Sequence, residues 1–178
     1  MNADELRSIQ TPLKERYRED PNAALITLKA QGRIGEGITC KVETGKAVVD
    51  AGLHPATGGN GLTACSGDML LETLAACAGV TLGAVATSIG VTIREGTVRA
   101  EGDLDFRGTL GVSKEVPIGF QRIRLYFDLQ TDASDDQLAT LIRLTERYCV
   151  VYQTLRRSPE INVSHRATAL AVDSGLTA

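Results

Sequence analysis

Two cysteines that are far apart in the sequence fall at matching places in two stretches predicted to be helical. Cys77 lies in the nearly uncharged run 69–81, and Cys149 lies on the apolar stripe of the run 144–155. Two thiols on helices that pack together could cycle between a dithiol and a disulfide, and that chemistry consumes an oxidant. Free cysteines are also among the most often buried side chains, so both could be ordinary core residues. The pair therefore indicates a redox function that competes with simple packing.

The composition is that of an ordinary globular chain. It has 178 residues, of which 43% are hydrophobic and 23% charged, with a net charge of -3. This predicts one main domain with an aliphatic core and offers no electrostatic reason to expect a nucleic-acid partner. The first residues contain no apolar segment typical of a secretion signal, so we expect a cytoplasmic protein with reduced thiols.

The cysteines must be positioned by two long helices. The first is predicted over 66–90, with Ser66 as its cap and Asp68 in its first turn, where negative charge is favoured. The second begins at a capping box over 134–137. We expect one continuous helix face after this box, formed by Leu138, Ile142, Thr145, Cys149 and Tyr152.

The first helix also has nearly the length and hydropathy of a membrane span. Glu72 is the sole charge in 69–91. However, no Lys or Arg lies between Lys46 and Arg94 to anchor its ends, and small residues dominate over Leu and Ile. We therefore expect a buried core helix and no membrane association.

The remaining elements are read from alternation and from turn residues. Strands are predicted over 24–29, 37–43, 47–51, 97–106, 120–130 and 160–168, with a tight turn at 58–61 and a mobile loop at 107–119. A helix over 4–19 is expected to break or kink at Pro12. In chain order we expect a helical arm (1–22), a folded domain (23–170) and a tail (171–178).

The other reactive side chains are less informative. Cys40 alternates onto an apolar strand face and is predicted to be core, and Cys65 precedes the first helix without an obvious partner. No His and Cys spacing is typical of a zinc site, so we expect no metal. The dipole of the first helix acts mainly within its first turn, so it cannot activate Cys77. An activating cation must come from another part of the fold.

Taken together, these motifs resemble the OsmC/Ohr family, the osmotically inducible and organic hydroperoxide resistance proteins. The resemblance covers about residues 24–168. It rests on Leu-Ala-Ala-Cys around Cys77, on Gly-Gly-Asn-Gly ahead of it, and on the spacing to Cys149. It implies an α+β fold with antiparallel sheets around two long central helices, assembled as an intertwined homodimer.

The resemblance also implies a thiol-dependent peroxidase that reduces hydroperoxides. Cys77 matches the cysteine that attacks the peroxide, and Cys149 matches the one that resolves the sulfenic acid as a disulfide. An external dithiol reductant would then restore the pair without a bound cofactor. The family's Gly-Arg turn is matched at Arg33, which would be the activating cation. A family Glu is replaced by Gly67, which leaves the adjacent Asp68 as a candidate supporting residue.

Three alternatives stay open at this point. Arg122, Arg124 and Arg147 are physical rivals for the role of Arg33. The chain could also keep the family fold without efficient chemistry and bind a small apolar ligand at the dimer interface. Last, both cysteines could be core packing in a purely structural dimer.

Overall fold

The computed structural model describes residues 3–34, 40–42, 51–62 and 64–166, with side chains described in 8–27, 51–62 and 64–166. Its helices are α1 (Ala3–Glu19), α2 (Ser66–Ile89), α3 (Phe106–Thr109), α4 (Asp135–Tyr148) and α5 (Val150–Arg156). Its strands are β1 (Leu25–Ile34), β2 (Cys40–Val42), β3 (Ala51–Gly52), β4 (Ala64–Cys65), β5 (Ile93–Asp105) and β6 (Phe120–Thr131). Short 3-10 turns cover Pro21–Ala24 and Pro55–Thr57.

The main sheet is antiparallel and has the strand order β2-β1-β5-β6. Its two long neighbours, β5 and β6, alternate between core and solvent as a half-buried sheet requires. In β5, Val98 and Ala100 are fully buried, and α2 covers this face of the sheet. The fold is therefore α+β, with one long helix against one antiparallel sheet.

Helix α2 is the buried axis of the molecule and confirms the predicted central helix. It packs against β1 and β5 on one side and against α4 and α5 on another. It stops at Gly90, whose φ of 71° is the left-handed conformation that favours glycine at a helix end. By length and composition α2 could cross a membrane. Its packing against the sheet instead fits the core helix of a globular fold.

The predicted second helix is interrupted at one residue. The capping box is confirmed. The Ser134 side chain accepts a hydrogen bond from the backbone N–H of Gln137, and the Gln137 side chain accepts one from the backbone N–H of Ser134. At Cys149, however, φ and ψ are -70° and 109°, an extended conformation that separates α4 from α5. The Cys149 Sγ accepts a hydrogen bond from the Tyr152 N–H at 3.5 Å, so this cysteine caps α5. The prediction of one continuous helix is therefore wrong at the residue of greatest interest.

Two further predictions need correction. The cap position of α2 is Cys65, which makes no side-chain capping bond, and Ser66 is already helical. Residues 160–166 form no strand with any described part of the chain and are solvent-exposed, whereas 167–168 lie outside the described residues. Alternation alone predicted that strand, but a strand also needs a neighbour with free backbone groups.

The predicted hairpin formed by 37–43 and 47–51 lies largely outside the described residues. Its last residue, Ala51, pairs in parallel with Ala64 of β4. The described antiparallel partner of β2 is β1, with Arg33 opposite Lys41. The hairpin itself stays a prediction, because its turn and most of its second strand lie outside the described residues.

Helix α1 runs through Pro12 without a break. Tertiary contacts hold it against the turn over 54–58. The buried Tyr17 donates a hydrogen bond to the Ala56 carbonyl at 2.6 Å, and the Gln10 amide donates to the Thr57 carbonyl at 3.3 Å. These contacts offset the backbone hydrogen bond that proline cannot donate.

The predicted turn at 58–61 is confirmed, and the predicted loop at 107–119 proves to be partly helical. Gly58 has a φ of 95° and Gly61 a φ of 73°, which glycine adopts without strain. Helix α3 begins the second segment, where the buried Asp105 caps the helix and pairs with Arg107. This ion pair fixes the end of β5.

Candidate dithiol site

Cys77 and Cys149 lie at one apolar cluster in the core, which their predicted positions allowed but did not require. Cys149 is 1% exposed and belongs to the apolar cluster of α2 and β5, and the partly buried Cys77 packs against the same cluster. The two thiols are close enough for the Cys77 side chain to raise the pKa of the Cys149 thiol. Both are free thiols in the structure. The fold therefore brings two reduced cysteines from distant parts of the chain into one contact.

The two thiols are not equivalent. Burial is the main cause that raises the pKa of the Cys149 thiol from its ordinary 9.0 to about 11, and the neighbouring Cys77 side chain contributes to this rise. Backbone N–H groups of Tyr152 and Val151 oppose the shift without cancelling it. Cys149 therefore stays protonated well above neutral pH.

Cys77 has more contact with solvent than its partner. It lies on a stripe of α2 that repeats at alternating spacings of three and four residues. The stripe is uncharged and is formed by Leu70, Thr73, Cys77, Val80 and Ala84. Leu70 and Val80 are 37% and 38% exposed. An oxidant can therefore approach Cys77 more readily than Cys149.

The backbone of Arg33 lies near the end of β1, opposite Thr97 of β5. Side chains alternate along a strand, and Thr97 alternates with the core residues Val98 and Ala100. The row that faces α2 therefore includes Gly32, which pairs with Val98. The side chain of Arg33 lies outside the described part of the structure. Its predicted role at Cys77 stays a prediction.

The rival cations differ in their surroundings. Arg124 is held by Asp103 and Glu101 on the sheet face that points away from α2. Arg147 lies over the ring of Tyr148, 5.6 Å from its centre. Arg122 lines a cavity beside the cysteine pair. It is paired with Asp103 of β5, however, so its side chain lies on the same face of the sheet as that of Arg124. None of the contacts described for these three arginines involves Cys77.

Asp68 lies in the first turn of α2, as predicted, but at a distance from the pair. Nine residues of helix, from 68 to 77, correspond to about 13 Å along the axis. Burial raises the pKa of Asp68, and nearby His54 opposes that rise. Burial and the charge of Asp68 also raise the pKa of Glu72 one turn later. Asp68 therefore belongs to a small titratable group near the helix start, together with His54 and Glu72, which the sequence did not indicate.

A cavity of about 630 Å³ lies between β6 and α5, next to the cysteines. Leu74, one turn before Cys77 on α2, and Tyr152, one turn after Cys149, both line it. Its other apolar lining residues are Phe120, Ile123, Leu125 and Leu155, and its charged ones are Arg122, Glu146 and Arg156. The cavity can therefore hold an organic group with one polar or anionic end.

The other two cysteines, Cys65 and Cys40, lie apart from the pair along the chain. Cys65 packs against the same apolar cluster as the pair. It lies at the start of α2, 12 residues (65 to 77) or about 18 Å of helix from Cys77. Cys40 is in β2, and its side chain lies outside the described residues. Within the described ranges, no group of His, Cys, Asp and Glu side chains could hold a metal ion.

Solved structures share this fold. An OsmC-like protein from Mycoplasma pneumoniae has a TM-score of 0.52 and 17% identity, covering 75% of this chain and 86% of its own. An OsmC-like hydroperoxide resistance protein from Jannaschia sp. CCS1 has a TM-score of 0.55 and 17% identity, covering 84% and 97%. None of the curated proteins matches the sequence. At such low identity these similarities define the class of fold, which is OsmC-like.

The sequence itself matches the OsmC-like protein family over residues 58–164, a stretch that includes both Cys77 and Cys149. This chain belongs to the OsmC-like protein family. The resemblance inferred from the cysteine motifs is thereby confirmed.

Proposed function

We propose that this chain is a cytoplasmic thiol peroxidase that reduces organic hydroperoxides as part of oxidative-stress defence. One observation carries the proposal: the buried Cys149 and the more accessible Cys77 lie close together at one apolar cluster. This arrangement supports two different roles, in which Cys77 meets the oxidant and Cys149 stays protonated behind it.

The proposed reaction has three steps: attack on the peroxide, formation of a disulfide, and reduction of that disulfide. The Cys77 thiolate attacks the outer oxygen of the hydroperoxide, the O–O bond breaks, and the leaving alkoxide takes a proton to become an alcohol. Cys77 is then a sulfenic acid. The Cys149 sulfur displaces its hydroxyl, which leaves as water with the Cys149 proton, and a disulfide forms. A dithiol reductant supplies two electrons and two protons to restore both thiols.

The cavity beside the pair supports an organic peroxide rather than hydrogen peroxide. Its aliphatic lining would remove an organic group from water, which stabilises binding by about 25 cal/mol for each Å² buried. Hydrogen peroxide offers no such surface. Arg156, a charged residue that lines the same cavity, would contact a polar end of the substrate.

We also propose that the working unit is a homodimer. The uncharged stripe of α2, which includes Cys77, exposes the large apolar side chains of Leu70 and Val80. Alternating spacings of three and four residues are those of a helix seam that packs against another helix. A second copy of α2 would cover this stripe and enclose the approach to Cys77.

A direct assay tests the peroxidase. The purified chain is supplied with dithiothreitol and either cumene hydroperoxide or hydrogen peroxide, and peroxide consumption is measured. We expect turnover with both and a higher kcat/KM for the organic peroxide. Cys77→Ser should abolish turnover. Turnover that survives in Cys77→Ser, or a preference for hydrogen peroxide, would contradict the proposal.

A second candidate is supported by Gly67, which replaces the Glu found at this position in the resembling proteins. The chain would then be a non-catalytic member that binds a small apolar ligand at the dimer interface. The same assay separates the two functions. This second candidate requires that the chain consume no peroxide and still bind an apolar fluorescent dye that cumene displaces.

A further inference from the structure

The second helical segment carries a concentration of positive charge on a chain whose net charge is -3. Four exposed arginines line one groove of about 500 Å³ on α4 and α5: Arg143, Arg147, Arg156 and Arg157. We call them the arginine patch. Glu146 is the one carboxylate that lines this groove. No ion pair joins the four guanidinium groups to a carboxylate in the described part of the chain.

The arginine patch borders the cysteine pair. Helix α5 starts directly after Cys149 and carries Arg156 in its last turn. Arg156 lines both the arginine groove and the cavity that Leu74 and Tyr152 line next to the thiols. The positive surface is therefore continuous with the cavity that lies next to the pair.

Exposed apolar residues accompany the charge and favour a protein as the occupant. Tyr148 is 58% exposed and Val150 70% exposed, one on each side of Cys149. Arg147 lies over the ring of Tyr148. Arginine and tyrosine are enriched in protein interfaces, where they supply most of the binding energy. A nucleic acid would bind through the positive charge alone, and the exposed apolar side chains beside it would have no role in that binding.

A second copy of this chain is a poor occupant for the same surface. A two-fold interface sets identical patches against each other, so four arginines would face four arginines. Like charges across an interface oppose association. The arginine patch therefore favours a different protein as its partner, one whose contact surface is acidic.

We propose that the arginine patch docks the acidic surface of the protein dithiol that reduces the Cys77–Cys149 disulfide. This inference rests on the proposed peroxidase function, because that function requires such a reductant. One thiolate of the partner attacks a sulfur of the disulfide and forms a mixed disulfide, which frees one cysteine. The partner's second thiol then displaces the other cysteine. Two electrons and two protons pass to this chain, and the partner becomes the disulfide.

Synthetic peptides of defined charge test the docking. Two peptides carry the same Cys-Gly-Pro-Cys dithiol, one flanked by glutamate triplets and the other by glutamine triplets. The full-length protein is oxidised with one equivalent of cumene hydroperoxide, and the rate at which each peptide reduces the disulfide is divided by the rate with dithiothreitol. The variant Arg143→Gln/Arg157→Gln is compared with Arg16→Gln/Arg18→Gln, which removes the same charge from the exposed face of α1.

We expect the glutamate peptide to react faster than the glutamine peptide at low salt. The patch variant should reduce that advantage by ~5-fold, because complementary charge raises association rates by 10-fold or more. The α1 variant should keep the advantage, and about 0.5 M salt should remove it in every protein because charges are screened within a few Å. Equal rates for both peptides, or equal losses in both variants, would overturn the proposal.

A binding measurement keeps this test independent of the peroxidase. A fluorescent glutamate peptide with serines in place of its cysteines should bind the reduced wild-type protein, by anisotropy, more tightly than the patch variant. That result stands even if no disulfide forms, an outcome that would reject the peroxidase alone. A single-stranded DNA of equal charge that binds as tightly as the peptide would assign the patch to nucleic acid and overturn the docking proposal.

Discussion

The buried Cys149 lies beside the partly buried Cys77, and its sulfur accepts a hydrogen bond from the Tyr152 N–H at 3.5 Å. Cys149 can hold this position because the helix stops there. Its extended backbone separates α4 from α5 and turns its sulfur to the first N–H groups of α5. The contact orders the two thiols before any oxidant arrives.

Removal of either cysteine should give a different defect. Cys77→Ser should lower peroxide consumption to background, because no sulfur remains to attack the O–O bond. Cys149→Ser should still consume about one equivalent of cumene hydroperoxide and then stop as a Cys77 sulfenic acid. Intact-mass measurement with dimedone trapping distinguishes the two. A trapped sulfenic acid on Cys65 would contradict the assignment.

The protonation of Cys149 predicts a loss of stability in alkali. The pKa of this thiol is about 11 in the folded chain against an ordinary 9.0, so the unfolded state alone ionises between these values. The free energy of unfolding should therefore fall from pH 9 to pH 11 and be unaffected by this group below pH 8. At pH 10 the loss should be about 1 kcal/mol, since one pKa unit corresponds to about 1.4 kcal/mol.

Urea unfolding of the reduced protein at pH 7 and pH 10 measures this effect. Lysines and tyrosines titrate in the same range, so the informative quantity is the difference between the wild type and Cys149→Ala. The variant should lose less stability between the two pH values. Parallel losses in the two proteins would show that Cys149 does not titrate as its burial requires.

The exposed stripe of α2 predicts a dimer that a single charge would disrupt. Val80 is 38% exposed and lies one turn after Cys77. In Val80→Glu the dimer would have to bury a carboxylate without a partner, which costs several kcal/mol. Light scattering should show a dimer for the wild type and a monomer for the variant. Exposed Ile118 on the loop before β6 offers the control, and Ile118→Glu should stay dimeric.

The identity of the activating cation can be decided by comparing two substitutions. If Arg33 acts as the family resemblance implies, Arg33→Ala should slow reduction of cumene hydroperoxide about 10-fold, since a lost contact of about 1.4 kcal/mol is one factor of ten. Single-turnover disulfide formation provides the rate, and the urea midpoint should change little. A normal rate in Arg33→Ala together with a slow Arg122→Ala would move the role to the cavity beside β6.

Local patterns determined the elements that carry the site. The run of small and apolar residues that ends at Gly90 was enough to predict α2, because a glycine in the left-handed conformation is a common local signal for the end of a helix. The capping box at Ser134 predicted the start of α4 in the same way, since its hydrogen bonds join residues three apart. The alternation of β6 predicted its two faces. The two cysteines and their family resemblance followed from these local features.

Tertiary structure alone decided how the thiols differ and what surrounds them. The residues around Cys149 are compatible with helix, so no local signal shows that the chain leaves the helix there. The pKa of Cys149 is raised by burial against α2 and β5. The cavity forms only where α2 and α5 meet β6, and the arginine patch forms where α4 and α5 meet at Cys149. Hydrogen bonds between near neighbours can be read along a chain. Burial and the pKa shifts that follow from it depend on contacts between distant segments, which a single sequence does not specify.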